Sequence, residues 1–456
     1  MARAEVVVVG MGPGGEHVAG ELATAGLDVV GIDRRLLGGE CPYWGCVPSK
    51  MMIRAAHLLA EARRIPGLAG SATVVPDWTP VASRIRTDAT DSWDDRVAVE
   101  RFEGKGGRFV RGAGRIVGRD KVEVDGEVFD ASRAIVLATG TEPSIPPIPG
   151  LDRLPYWTNR EAIEADELPA SLVVLGGGAV GVELAQVFAR FGTQVSVVEA
   201  LDRLVSDEEP EAGESLADAF RAEGIAVHVG VRVVRAERDG ERLALELEDG
   251  TRVGGNRLLV ATGRHTDLGG LGLTTLGIDE SERWVPVDEN LRVRDVEGVW
   301  AVGDVTGKGA FTHVALYQAA IAVDAILGRR HRGADYRAVP RVTFTDPEIG
   351  SVGRSEAAAR EAGVDVATGS ARVPRTARGW IHRAGNDGFI KVVADTDRRV
   401  LVGATVMSPA GGEVLGLLTL AVKAEITVDD LRSMMYAYPT FHRGVEDALR
   451  DLTSGW

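Results

Sequence analysis

The sequence predicts an α/β chain of two Rossmann-like units followed by a smaller α+β unit. Three observations carry that prediction. A pattern of apolar strand, glycine turn, apolar helix, second strand and terminal acid occupies residues 5–33 and returns at 172–199. Each copy is followed later by an apolar strand ending in Ala-Thr-Gly, at 138–140 and 261–263. Beyond about residue 339 this pattern stops, and short strands give way to helices, as in an α+β unit.

The first copy reads EVVVVGMGPGGEHVAGELATAGLDVVGID. Its continuous β-branched run suits a strand of a parallel sheet buried on both faces. Gly10, Gly12 and Gly15 fit G-x-G-x-x-G. The first permits a tight turn, the second lets backbone approach a pyrophosphate, and the third lets helix pack closely on strand, while the helix start supplies N–H groups and a positive dipole. Asp33, 23 positions after Gly10, stands where a carboxylate accepts from ribose hydroxyls. The second copy, LVVLGGGAVGVELAQVFARFGTQVSVVE, repeats the pattern with Gly176, Gly178, Gly181 and Glu199, again 23 positions on. Two copies imply two bound dinucleotides. Glu199 repels a 2'-phosphate, so NADH is expected in preference to NADPH at the second site; Arg203 is the nearby group able to reverse that preference.

The stretch GGECPYWGCVPSK, residues 38–50, holds both cysteines of the chain, Cys41 and Cys46. On a regular helix, residues five apart have Cα atoms about 8.6 Å apart, whereas a disulfide needs roughly 4.4–6.8 Å. A bonded pair therefore requires an irregular helix entrance at Cys41, a role suited to Pro42 and Gly45. Spacing alone leaves a redox pair and two buried thiols as equal readings. The apolar spacing of MMIRAAHLLAEARR continues as a helix, and residues 71–130 predict a helix around Trp78 to Phe102 and a hairpin at KVEVDGEVFD. Further on, VWAVGDVTGKGAFTHVALYQAAIAVDAIL gives a strand ending at Gly303-Asp304 and a long helix from near Thr312. Asp304 is placed to accept from sugar or ribityl hydroxyls, or simply caps a turn. The expected domains are 1–148 with 265–335, then 149–264, then 336–456.

At 456 residues the chain exceeds what one core of about 250 residues organises. A net charge of −15 disfavours nucleic acid and anionic membranes as partners. The start, MARAEVVVVG, reads as a first strand and not an export signal. No run approaches the 18 or so apolar residues of a membrane span, and the expected location is the cytoplasm. Two cysteines do not make a disulfide scaffold, nor complete a structural zinc site, so no metal site is expected.

The GMGPGG turn, the C-x-x-x-x-C-V-P-S-K stretch, both Ala-Thr-Gly segments, the Gly-Asp motif and the C-terminal unit together resemble the pyridine nucleotide-disulfide oxidoreductases, the group that includes dihydrolipoyl dehydrogenase and mercuric reductase. The likeness covers essentially the whole chain. It implies a homodimer with FAD held by Gly10, Gly12, Gly15, Asp33, Lys50, Gly114, Gly303, Asp304 and Thr312, and with NADH or NADPH at Gly176, Gly178, Gly181, Glu199 and Gly263. It further implies a redox disulfide between Cys41 and Cys46, with Cys46 facing the flavin and Cys41 exchanging with the acceptor. Lys50, paired with Glu183, is implied as the cation beside the flavin.

Three departures narrow the expectation. Glu40 stands where the group carries threonine, and a carboxylate there is expected to raise the Cys41 thiol pKa. Tyr43 and Trp44 make the cysteine interval bulky, as packing or as a substrate platform. At the C-terminus Tyr438 and Arg443 occupy the positions of a catalytic histidine and glutamate. Tyrosine titrates at about 10 and histidine at about 6.5, so Tyr438 is a hydrogen-bond donor but a poor base at neutral pH. His442, on an expected helix, is a substitute base or a surface residue. Mercuric reductases share the tyrosine but use a second, C-terminal cysteine pair that DLTSGW does not supply, so another acceptor is expected. The expected activity is NAD(P)H-dependent, FAD-mediated transfer through Cys41–Cys46 to a small disulfide or other electrophile. The alternatives are direct flavin transfer to a quinone, metal ion or oxygen, and a nucleotide-binding sensor or assembly subunit.

Overall fold

The computed structural model describes residues 2–240 and 242–454, which divide into two compact units. The first comprises the chain through Ser49, Ser83–Ser144 and Arg264–Tyr336. Its central strand, Ala2–Val9, lies parallel to Val29–Asp33 on one side and to Glu127–Leu137 on the other. Arg108–Arg111 extends the sheet beyond Val29–Asp33, and Val299–Ala301 pairs in parallel with the end of Glu127–Leu137. Val6, Val7 and Val8 are fully buried, as the unbroken apolar run requires. Pro13 opens the helix Pro13–Thr24, where its missing N–H costs nothing. That helix approaches the helix Thr312–Leu327 closely because Gly14 has no side chain: a Cβ there would lie 3.3 Å from the Ala315 methyl.

The helix expected from Trp78 to Phe102 is broken into pieces. Thr79–Arg84 is α-helical, Ile85–Ala89 forms a π turn, and Arg96–Glu103 is a second α-helix. The break falls at Asp91, Ser92 and Trp93, whose φ angles of 47°, 56° and 57° are left-handed. The hairpin forms as expected, with Lys121–Val124 antiparallel to Glu127–Leu137.

The second unit comprises Lys50–Ala82, Ile145–Gly263 and the chain from Arg337. Ser171–Leu175 lies parallel between Gln194–Val198 and Arg257–Val260, with Ala226–His228 outside. This repeats the first unit's order, the strand before the glycine turn being flanked by the strand ending in the acid and the strand leading to Ala-Thr-Gly. A five-stranded antiparallel sheet follows, ordered Pro340–Thr343, Glu348–Gly353, Val400–Ser408, Phe389–Asp395, Val366–Arg372. Leu415 and Leu418 from the helix Gly411–Ala424, and Leu449 and Leu452 from Gly444–Ser454, join Val352, Ile390 and Val406 in its core. The protein is thus mixed α/β, with two Rossmann-like units and a C-terminal α+β domain. No helix among the described residues is long and apolar enough to cross a membrane.

Candidate functional site

The two glycine turns are built alike. Gly10 and Gly176 have φ of +95° and +111°, and a Cβ on either would come within 2.4 Å and 2.3 Å of the carbonyl oxygens of Ala138 and Ala261. Each turn is therefore pressed against its Ala-Thr-Gly strand end. A Cβ on Gly15 would lie 1.9 Å from the Gly10 oxygen, and one on Gly181 2.1 Å from that of Gly176, which enforces the close helix crossing. The middle glycines differ: a Cβ on Gly12 or Gly178 would meet nothing within 4 Å. Both are extended N-cap residues without a side-chain cap, so the first-turn N–H groups face an open cradle suited to an anion.

The terminal acids are also equivalent. Asp33 accepts from the N–H groups of Met11 at 2.7 Å and Arg35 at 2.7 Å. Glu199 accepts from Gly177 at 2.6 Å and Leu201 at 2.8 Å. Burial pushes the Asp33 carboxyl up, against the opposing pull of those two N–H groups. Arg203, the group weighed against Glu199, is turned into its own loop, donating to Asp202 at 3.0 Å and to the Ser206 carbonyl at 2.8 Å. Gly263 has φ +108° and open space where a Cβ would sit.

In the first unit, Glu40–Tyr43 forms a single helical turn that breaks at Trp44 (φ −137°, ψ 12°) before the helix Cys46–Arg63 begins. This break takes the cysteines off a regular helix, and Gly45 is needed there because a Cβ would lie 3.0 Å from the Glu40 oxygen. Cys41 and Cys46 stand as thiols in hydrogen-bond contact. The Cys46 sulfur is 3.4 Å from the hydroxyl of Thr312, the first residue of its helix. Two helix starts therefore meet at this sulfur, a setting that favours a thiolate. The hydrogen bond with Cys46 and then burial push the Cys41 thiol up. The direction is the one expected, but Glu40 is not the leading cause: its carboxylate lies 3.9 Å from the Arg264 guanidinium.

Arg264, unremarked in the sequence, donates to the Thr141 hydroxyl at 2.8 Å and the Thr141 carbonyl at 2.6 Å. Thr141 in turn donates to Asp304 at 2.9 Å. Burial pushes the Asp304 carboxyl up, and Thr141 and Arg264 oppose it. Gly303 N–H is held by the buried Gln318 at 2.7 Å. Gly114 packs on the end of the central strand, a Cβ there lying 3.0 Å from Val9. The hydroxyl of Thr139 is buried without a hydrogen-bond partner among the described residues.

The Tyr43 ring is buried packing, 5.8 Å from the half-buried Trp44 ring. Trp93 and Asp95, which sequence reasoning missed, both bond to this loop. The Trp93 indole donates to the Tyr43 carbonyl at 3.3 Å, and Asp95 accepts from Leu37 N–H at 2.6 Å.

In the second unit, Lys50 donates to Glu183 at 2.8 Å, the two side chains being 36% and 6% exposed. The other Glu183 oxygen accepts from Phe344 N–H at 2.8 Å, and the Lys50 ammonium lies 4.7 Å from the centre of the Phe344 ring. Glu183 begins a buried polar stripe on its helix. Gln186 exchanges hydrogen bonds with the Asp346 backbone, and Arg190 pairs with Asp346 at 2.8 Å and Glu223 at 2.6 Å. Tyr438 is 70% exposed, with the Arg443 guanidinium 5.4 Å from its ring centre. His442, expected on a helix, lies instead in the turn before the helix Gly444–Ser454 begins.

Residues 4–319 match the family model for pyridine nucleotide-disulphide oxidoreductases, and residues 339–449 match that of their dimerisation domain. A mercuric reductase of Streptomyces lividans is 35% identical, the alignment covering 99% of this chain and 96% of the relative. A dihydrolipoyl dehydrogenase of Chlorobaculum tepidum is 33% identical over 99% and 97% of the two chains. Among solved structures, the HOCl-induced flavoprotein disulfide reductase RclA from Escherichia coli superposes with a TM-score of 0.84 at 26% identity, covering 99% of both chains.

Proposed function

The chain belongs to the pyridine nucleotide-disulphide oxidoreductases, and from that premise we propose that Cys41 and Cys46 are the redox couple through which it reduces a small electrophilic acceptor. It is an FAD-dependent oxidoreductase that uses NAD(P)H, and its dimerisation domain makes it a homodimer. The open cradles at Gly12 and Gly178, the uncapped helix starts and the orphaned Thr139 hydroxyl fit two dinucleotides. In this reading FAD is held by Gly10, Gly12, Gly15, Asp33, Gly114, Gly303, Asp304 and Thr312, with Lys50 as the nearby cation. The nicotinamide nucleotide is held by Gly176, Gly178, Gly181, Glu199 and Gly263. Glu199, with Arg203 engaged elsewhere, supports NADH over NADPH.

FAD, when bound, supplies two-electron transfer between nicotinamide and the sulfur pair. Lys50, fixed by Glu183, provides positive charge where reduction develops negative charge. In the reduced couple Cys41 keeps its proton, so the first negative charge falls on Cys46, between two helix starts. Toward a disulfide acceptor, Cys41 passes its proton to the neighbouring Cys46 thiolate as its own sulfur attacks and breaks the acceptor's S–S bond, and the expelled thiolate takes that proton and leaves as a thiol. The Cys46 thiolate then displaces the second thiol from Cys41 and closes the Cys41–Cys46 bond. Two electrons and the one proton of the couple leave with the acceptor, and solvent supplies the second proton.

The observation that carries this reading is the contact of the two thiols at the start of the helix Cys46–Arg63. Anaerobic titration with NADH tests it. Wild type should consume more than one hydride equivalent per flavin, and Cys46→Ser only one; identical titrations would sink the couple. A second reading, direct flavin transfer to a quinone or metal ion, is favoured by the proton held on Cys41 and by Tyr438 in place of a base. It predicts that Cys41→Ser leaves turnover nearly unchanged. Under either reading the acceptor is a small molecule, with neither nucleic acid nor membrane as partner, and the enzyme works in the cytoplasm.

A further inference from the structure

We propose that the segment Asp91–Asp95 is a clamp that sets the stability of the Cys41–Cys46 disulfide by holding the cysteine loop at two points. The inference rests on the redox couple proposed above. Asp91, Ser92 and Trp93 are consecutive left-handed residues, and none is the glycine that takes this conformation without cost. Strain of this kind persists only where surrounding contacts impose it. Here two bonds leave the segment for the loop. Asp95, buried and paired with Arg111 at 2.6 Å, accepts from Leu37 N–H at 2.6 Å, just before the turn at Gly38 and Gly39. The Trp93 indole donates to the carbonyl of Tyr43, the last residue of the helical turn that carries Cys41. Residues two apart thus fix backbone groups six apart, and the interval between the cysteines is held at its middle.

The sign of the effect follows from which redox state has freedom to lose. The disulfide closes the loop covalently, whereas the dithiol form is held in register by the clamp. Releasing the clamp frees the dithiol more than the disulfide, lowers the effective concentration of one thiol at the other, and shifts the balance toward dithiol.

The test uses the holoenzyme equilibrated anaerobically with glutathione. Enzyme disulfide plus two glutathione thiols gives enzyme dithiol plus glutathione disulfide, and the fraction is read by mass after alkylation. Trp93→Phe keeps the ring and loses the N–H; its equilibrium constant toward dithiol should rise about threefold, the scale of one modest hydrogen bond. Ser92→Gly relieves the strain and keeps both bonds, so its constant should match wild type while its melting temperature rises. Placed on the Ser92→Gly background, Trp93→Phe should show the same threefold rise without loss of folding. A constant unchanged by Trp93→Phe on either background overturns the clamp alone. A wild type that forms no disulfide at any glutathione ratio overturns the couple and the clamp with it.

Discussion

Glu183→Gln removes a charge and little else. The amide keeps an oxygen for the Phe344 N–H, which now lies 2.8 Å from Glu183, while the Lys50 ammonium, also at 2.8 Å, loses its counter-ion. A hydrogen bond to a charged group contributes about 1.5–3 kcal/mol. Glu183 is nearly buried, but about a third of the Lys50 side chain stays in water, and that screening lowers the figure to about 1–2 kcal/mol. If the pair positions Lys50 for the reduction step, the loss emerges as a fall of about 5- to 30-fold in the rate of anaerobic flavin reduction by NADH. Stopped-flow absorbance measures that rate directly. A double-mutant cycle with Lys50→Met isolates the route: if Glu183 acts only through Lys50, adding Glu183→Gln to Lys50→Met costs nothing further. A wild-type rate in Glu183→Gln, or losses that simply add, would refute the positioning role.

Three further outcomes are expected. Glu199→Ser removes the carboxylate that repels a 2'-phosphate, so the ratio of kcat/KM for NADPH over NADH should rise about tenfold; an unchanged ratio removes Glu199 from nucleotide selection. In the reduced enzyme, iodoacetamide should modify Cys46 at neutral pH and Cys41 only under alkaline conditions. Because the hydrogen bond with Cys46 is the largest cause of the raised Cys41 thiol, Cys46→Ala should move Cys41 alkylation to lower pH, followed by peptide mass spectrometry. Lys391→Met should destabilise the second unit by about 3 kcal/mol, because the nearly buried ammonium neutralises Glu209, Glu211 and Glu356 at 3.0, 2.8 and 3.1 Å. A melting temperature within about one degree of wild type would contradict that accounting.

The duplicated nucleotide-binding frame was legible because its signals are local and stereochemical. Gly10 and Gly15 tolerate no Cβ, and a fixed count of residues separates each glycine turn from its acid. The cysteine break was legible for the same reason, since a regular helix holds the two Cα atoms too far apart. The continuous helix expected over Trp78 to Phe102 failed where Asp91, Ser92 and Trp93 turn left-handed without glycine or asparagine to announce it. Arg264, Trp93 and Asp95 escaped notice because their partners lie 123, 50 and 58 positions away. One missed feature did carry a signal: Glu183, Gln186 and Arg190 recur at helical spacing inside an otherwise apolar helix, the mark of a buried polar stripe with partners to find.

The two copies also show where one frame takes two different courses. In each, the residue after the first glycine is held at both ends of its peptide. Met11 N–H is bound by Asp33 and Gly177 N–H by Glu199, while the Met11 carbonyl accepts from Gly38 and the Gly177 carbonyl from Val205, at 2.8 and 2.9 Å. The anchoring N–H lies five residues past the acid in the first copy and six in the second, so the copies remain equivalent to that point. Beyond it they diverge. After Val205 the chain enters the helix Pro210–Ala222 and carries no sulfur. After Gly38 it packs Gly39 against Gly12, where a Cβ would lie 2.7 Å from the Gly12 Cα, and turns at once into the helical turn bearing Cys41. The cysteine loop is therefore stacked on the glycine turn itself, with Gly39 packed between Gly12 and the helical turn that carries Cys41.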